Sequence, residues 1–186
     1  NAFHGRTLAA VTATGQKKYL EGFDPLPEGF KQAELNDIES VKKTIGPKTI
    51  AVLLEPIQGE GGINVADGMF LKELRKICDQ KKMLLIFDEV QSGMGRTGKM
   101  FAFQHYGIQP DLMTLAKSLG SGVPIGALVV SNKVKNVLTP GTHASTFGGN
   151  PLVTRVALAV FDAIKNEKLL KNAQEMGDYL SMNLER

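Results

Sequence analysis

The feature that most restricts this chain is a repeated local order: a short apolar run, then a polar or glycine-rich segment, with helical patterns in between. Residues 48–54 (KTIAVLL) run into 55–62 (EPIQGEGG), and residues 83–87 (MLLIF) run into 88–98 (DEVQSGMGRTG). Residues 110–115 (PDLMTL) lead to 117–122 (KSLGSG), and a fourth apolar run covers 125–130. Runs this short and apolar throughout fit strands covered on both faces. Between the first two, residues 68–82 place Phe70, Leu71, Leu74 and Ile77 on one helical face. Residues 151–165 read as a helix with Pro151 at its start, where a missing N–H costs least. Helical patterning continues from residue 169 to the end, and residues 22–31 read as an irregular loop. Strands alternating with helices predict an α/β fold, three-layer α/β/α with a mostly parallel central sheet.

The same order places chemistry. In open α/β sheets, ligands sit beyond the carboxyl ends of the strands. Segments 55–62, 88–98 and 117–122 are therefore predicted to line one crevice, with Asp88 and Lys117 facing each other in it. Taken alone, an acid and a lysine at strand ends also read as a buried structural ion pair, because desolvation offsets much of the Coulomb gain. The glycines at 93, 95, 98, 120 and 122 tilt the reading toward a ligand site, since glycine permits backbone close to a bound molecule.

Composition narrows the classes. The chain has 186 residues, 42% of them hydrophobic, enough for one globular domain with a sizeable core. No run approaches the roughly 18 apolar residues of a membrane span, so no membrane partner is expected. The net charge is +3 with both signs interspersed, which gives no footprint for a nucleic acid. Cys78 is the only cysteine and falls on the apolar side of its helix, so a reducing compartment, most simply the cytoplasm, is expected. His4, His105 and His143 have no metal-ligand spacing. Residues 1–7 do not read as a signal peptide. Both ends read as cut, which predicts a piece of a longer protein.

Five stretches together resemble a known family: FHGRT at 3–7, EPIQGEGG at 55–62, DEVQSGMGRTG at 88–98, LAKSLGSGVPIGA at 115–127 and HASTFGGNP at 143–151. In this order they are similar to the class III, fold-type I aminotransferases, and within these to the acetylornithine branch. One glycine-rich loop would mean little; five ordered motifs are specific. Ala2, Ser118 and Ala144 depart from residues common at those places, and all three are small.

The resemblance implies pyridoxal 5'-phosphate (PLP) as cofactor and assigns roles. Lys117 matches the lysine that condenses with the PLP aldehyde and then moves the proton at the substrate carbon, work that needs a primary amine. Asp88 matches the carboxylate under the pyridine nitrogen. Val90 and Gln91 match residues that pack the ring face and contact its phenolate oxygen; Val90 also reads as plain core. Phe3 matches the aromatic on the other ring face, with a core phenylalanine as the plainer reading. Ser145 and Thr146 match a phosphate contact supplied across a homodimer interface to the neighbouring site. Arg6 resembles the arginine that grips the substrate carboxylate, a bidentate match, though a surface ion pair fits it too. Glu60 resembles the acid that neutralises a second substrate arginine, beyond residue 186. Glu55 reads as structural or cofactor-proximal, and His4 has no clear chemistry of its own.

The implied reaction moves the δ-amino group of N-acetylornithine to 2-oxoglutarate. It gives N-acetylglutamate semialdehyde and glutamate, a step of arginine biosynthesis. Ornithine, 4-aminobutyrate or succinyl-diaminopimelate as donor, or an inactive truncated domain, are the alternatives. Residues 1–186 correspond to the large PLP-binding domain, with a phosphate loop upstream and a small domain downstream.

Overall fold

The computed structural model describes residues 1–184, which fall into two compact units divided after Asp88. The first holds helices α1 (Leu8–Ala13) and α2 (Ile38–Thr44), strands β1 (Ala51–Leu54), β2 (Ile57–Gln58) and β3 (Asn64–Val65), helix α3 (Gly68–Gln80) and strand β4 (Leu84–Asp88). Strands β1 and β4 pair in parallel, with Ala51 opposite Leu84 and Leu54 opposite Phe87. A parallel pair needs a crossover, and α3 provides it.

Why α3 forms where it does follows from its sequence. The Asp67 carboxylate caps the start, accepting from the N–H groups of Met69 (2.7 Å) and Phe70 (3.1 Å). The face Phe70, Leu71, Leu74, Ile77 and Cys78 is buried. Leu71, Leu74 and Cys78 are fully enclosed. Each buried leucine contributes about 1.5–3 kcal/mol. Lys82, at φ 55°, ends the helix and turns the chain into β4. Leu85, Phe87 and Asp88 of β4 are buried, so the strand leads from apolar core directly to a carboxylate.

The second unit holds β5 (Leu112–Leu115), β6 (Ala127–Val130), α4 (Pro151–Asn166) and α5 (Leu169–Leu184). Its core is Met94, Met113, Leu115, Leu119, Ala157 and Ile164. The Asn150 side chain caps α4 through Val153 N–H at 3.2 Å, and Pro151 takes the first turn as expected. The expected helix from residue 169 runs to Leu184; its last two residues, Glu185 and Arg186, lie outside the described residues.

Strand β6 runs antiparallel to β5, with Leu115 opposite Ala127. A short apolar run does not encode direction. The connection, residues 116–126, is shorter than the dozen or more residues that a parallel crossover takes. Ala127, Leu128 and Val129 are exposed, so β6 is not covered on both faces.

Candidate active site

In the first unit the polar ends of the strands gather a tight group of side chains. Asp88, at the end of β4, is 2.8 Å through Oδ2 from His4 Nδ1, and both side chains are almost wholly buried. A carboxylate oxygen accepts, so Nδ1 is the donor. The N-terminal segment that carries His4 is strapped by its own amides. Phe3 N–H donates to Glu55 Oε1 at 2.8 Å, and His4 N–H donates to Thr14 Oγ1 at 3.0 Å. Gly15 N–H donates to Ala2 O at 3.0 Å. Gly61 packs so closely on Asn1 that a Cβ there would lie 2.5 Å from the Asn1 carbonyl oxygen. Only glycine fits such an approach.

Glu55, at the end of β1, is 2% exposed. Burial pushes its carboxyl above the ordinary glutamate value. The Phe3 N–H and the charge of His4 partly offset that rise, and the charge of Asp88 adds to it.

Around this group lies a more exposed aromatic patch. Phe3 and Tyr19 meet edge to face, 5.4 Å between centroids. The Arg6 guanidinium lies 4.4 Å from the Tyr19 ring centroid and 5.6 Å from that of Phe3. Tyr19 OH donates to Glu60 Oε1 at 2.9 Å. The sequence-predicted residues Phe3, Arg6, Glu60 and Asp88 are thus linked within this unit through His4, Glu55 and Tyr19.

The second unit holds the other predicted residues. Lys117 follows β5 and sits at φ 45°, a left-handed conformation that side-chain-bearing residues seldom adopt and that recurs at functional sites. Its neighbours Leu115 and Leu119 are buried, whereas Lys117 itself is exposed. It lines a cleft of ≈ 560 Å³ with Arg96, Ser118, Ser121, Val123 and Ile125. The Lys117 ammonium has no ion pair or hydrogen bond among the described residues. The apolar setting Leu115-Ala116-Lys117 suggests burial in sequence; the local turn instead points the amine outward.

Val90 and Gln91 are half-buried on the turn after β4. That turn is anchored by Glu89, 1% exposed, whose carboxylate accepts from Ser92 Oγ at 3.0 Å and from the N–H groups of Ala102 and Phe103, both at 2.8 Å. Two of the glycines here allow close packing. A Cβ on Gly95 would press on Leu170 and one on Gly98 on Gln174, both side chains of α5. Ser145 and Thr146 lie on an exposed loop; Ser145 Oγ accepts from Gly148 N–H at 3.1 Å.

Sequence reasoning set His4 aside and passed over Tyr19, Glu89 and Arg96. None has a spacing signal: the partners of His4 and Tyr19 lie 84 and 41 residues away. Only placement within the FHGRT and GRTG motifs marks His4 and Arg96.

Each unit offers groups that suit part of a phosphorylated pyridine aldehyde. The first has a buried carboxylate fixed by a histidine and a ring face at Phe3; the second has an unpartnered primary amine in an open cleft and exposed hydroxyls. No group of three or more His, Cys, Asp or Glu that would hold a metal ion occurs among the described residues. No helix among them is long and apolar enough to cross a membrane.

Comparison with known proteins gives one family. The sequence model described as Aminotransferase class-III matches residues 1–186. The acetylornithine aminotransferase of Methanocaldococcus jannaschii is 55% identical over 187 residues, covering 100% of this chain and 46% of the relative. The ornithine aminotransferase of Toxoplasma gondii ME49 superposes with a TM-score of 0.91 at 40% identity, covering 96% of this chain and 43% of that one. A second structure of the Toxoplasma gondii enzyme, crystallized in presence of oxidized glutathione, has PLP at partial occupancy in its active site; it matches with a TM-score of 0.91 at 39% identity, covering 96% and 43%. The fold is therefore mixed α/β with a mostly parallel central sheet, as the sequence predicts. The chain spans about half the length of the curated relatives it matches.

Proposed function

The chain belongs to the class-III aminotransferase family, and on that footing we propose that the intact protein is a PLP-dependent aminotransferase. Its amino donor is N-acetylornithine and its acceptor 2-oxoglutarate. Residues 1–186 form most of its large, cofactor-binding domain. The observation that carries the reading is the buried 2.8 Å pair of His4 and Asp88, which fixes a carboxylate at a strand end. Relatives named acetylornithine aminotransferase at 50–55% identity support the choice of donor.

Bound PLP supplies an aldehyde for the amino group and a protonated ring that accepts the electrons left at the substrate carbon. Asp88 would stabilise a proton on the ring nitrogen, because its negative charge favours the protonated form. His4 donates to Asp88 Oδ2 and fixes that carboxylate. Phe3 and Val90 would pack against the ring, and Gln91 would meet its phenolate oxygen. Lys117 would hold the cofactor through its primary amine, and the same amine would move the proton at the substrate carbon. Its exposure and lack of an ion pair leave the amine free to move. Arg6 takes the α-carboxylate of the acylated donor, which directs the distal amine to the reacting centre. Glu60 neutralises a second substrate arginine.

Ser145 and Thr146 would donate hydroxyls to the cofactor phosphate of a neighbouring subunit in a homodimer. Their exposure on one loop supports that placement. The setting is arginine biosynthesis in the cytoplasm, and a lone cysteine suits that compartment.

The test is turnover by the intact protein with PLP and 2-oxoglutarate, following glutamate. N-acetylornithine should give the highest kcat/KM among N-acetylornithine, ornithine, 4-aminobutyrate and succinyl-diaminopimelate. A higher value for any other donor would overturn the donor assignment; no glutamate from any of them would overturn the activity.

A further inference from the structure

Tyr19 touches three residues of the candidate site at once. Its ring meets Phe3 edge to face at 5.4 Å, carries the Arg6 guanidinium at 4.4 Å, and its hydroxyl donates to Glu60 at 2.9 Å. Lys18 Nζ also lies 4.6 Å from the ring centroid. Arg6 is exposed, and its guanidinium has no hydrogen bond or ion pair among the described residues. A planar cation held by its face on an aromatic ring keeps its N–H edge open. That edge is the part that grips a carboxylate bidentately.

Glu60 is the complication. An exposed carboxylate beside an unpaired guanidinium tends to form a charge-assisted pair with it. Here Glu60 is bound to the phenol that carries Arg6, and it bonds to the hydroxyl instead. The phenol thus gives the acid a partner at its oxygen and the guanidinium a seat on its face.

We propose that Tyr19 is a positioning residue for substrate selection: it holds Glu60 away from Arg6 and keeps Arg6 open to the carboxylate of the amino donor. The proposal deepens the proposed function and rests on Arg6 as the carboxylate anchor. It gives Tyr19 a role in KM for carboxylate-bearing donors and none in the proton transfer at Lys117.

Tyr19→Phe keeps the ring and removes only the hydroxyl. In the intact holoenzyme it should raise KM for N-acetylornithine about five- to tenfold, the effect of one lost hydrogen bond, with kcat within about twofold. Tyr19→Leu, which also removes the seat for Arg6, should raise KM further. N-acetylputrescine has the same amine and acyl group without the carboxylate, and its kcat/KM should not respond to Tyr19→Phe. In a Glu60→Gln background, Tyr19→Phe should leave KM within about twofold of Glu60→Gln alone, because the released side chain no longer carries charge. A structural role for the hydroxyl alone would give the same loss in both backgrounds.

Calorimetric binding of N-acetylnorvaline, which has the carboxylate and no reacting amine, reads the same site without turnover. Tyr19→Phe should weaken it by the same factor as KM. Wild-type protein that fails to transaminate N-acetylornithine would overturn the function, and N-acetylnorvaline binding would still decide the role of Tyr19. Unchanged binding in Tyr19→Phe, or a full effect of Tyr19→Phe in the Glu60→Gln background, would overturn the proposal.

Discussion

The two units treat their functional groups in opposite ways. In the first, the acid is fixed: Asp88 is buried, bonded to a buried histidine, and that histidine is held by Thr14 while Glu55 holds Phe3 beside it. In the second, the amine is left loose: Lys117 is exposed, unpaired among the described residues, and carried on a left-handed turn beside an open cleft. The difference matches the two jobs proposed for them. A carboxylate that sets the charge of a ring nitrogen must not reorganise during the reaction, so it is preorganised in low dielectric. An amine that first binds the cofactor and then carries a proton must move. The contrast predicts that damage to the amine costs activity without stability, and damage to the acid's surroundings costs both.

The largest effect should come from Lys117→Ala. Transamination should fall by at least about 10³-fold, with Lys117→Arg no better, because the guanidinium is not a primary amine. The stability of Lys117→Ala by chemical denaturation should stay within about 0.5 kcal/mol of the parent, since an exposed unpaired side chain holds nothing in place. Marked destabilisation would break the contrast.

Next is Glu89→Ala. It leaves one buried and one partly buried amide N–H and the buried Ser92 hydroxyl without this acceptor, and should cost about 3 kcal/mol of stability. Glu89 belongs to the second unit, so this result confines the looseness there to the Lys117 cleft. A loss below about 1 kcal/mol would mean that the whole turn is soft.

His4→Ala should cost less, about 1–3 kcal/mol, with kcat down about tenfold. It removes one donor to the buried Asp88 carboxylate. Loss of activity with unchanged stability would move His4 to the loose category with Lys117.

The smallest effect is a pH dependence. Burial raises the folded-state value of Glu55 above the ordinary 4.5, so the folded chain binds that proton more tightly than the unfolded one. This group therefore favours folding increasingly as pH falls through its folded value, and the benefit is lost as pH rises above it. Glu55→Gln keeps an oxygen to accept from Phe3 N–H and removes the titration. Its Tm should lose the part of the parent's pH slope lying just above 4.5, and should not fall at neutral pH. A clear drop in Tm at neutral pH would show that the Glu55 charge, rather than its acceptor oxygen, holds Phe3.

Much of this was legible in the sequence, for physical reasons. Buried strands must be apolar, so β4 and β5 stand out, and a charged residue at the end of such a run marks where the chain leaves the core. Asp88 and Lys117 are visible for that reason. Helix α3 shows through its apolar face and α4 through Pro151. Strand direction is not written in a four-residue apolar run, so β6 needed the length of its connection. The exposure of Lys117 was not legible, because flanking leucines report on their own environment and a single turn sends the lysine outward. His4 and Tyr19 stayed hidden because each acts through one long-range bond that no local period reveals. The glycines after Asp88 were visible, but their packing against α5 was not, since the same residue type serves both purposes.

The central claim is that the amine of Lys117 is the group that takes up the cofactor. Saturating the intact protein with PLP, reducing with borohydride and mapping the modified peptide by mass spectrometry tests it directly. The account predicts one pyridoxyl group, on Lys117, with the other lysines unmodified at stoichiometric PLP. A pyridoxyl group fixed on a different lysine, with Lys117 unmodified, would contradict it.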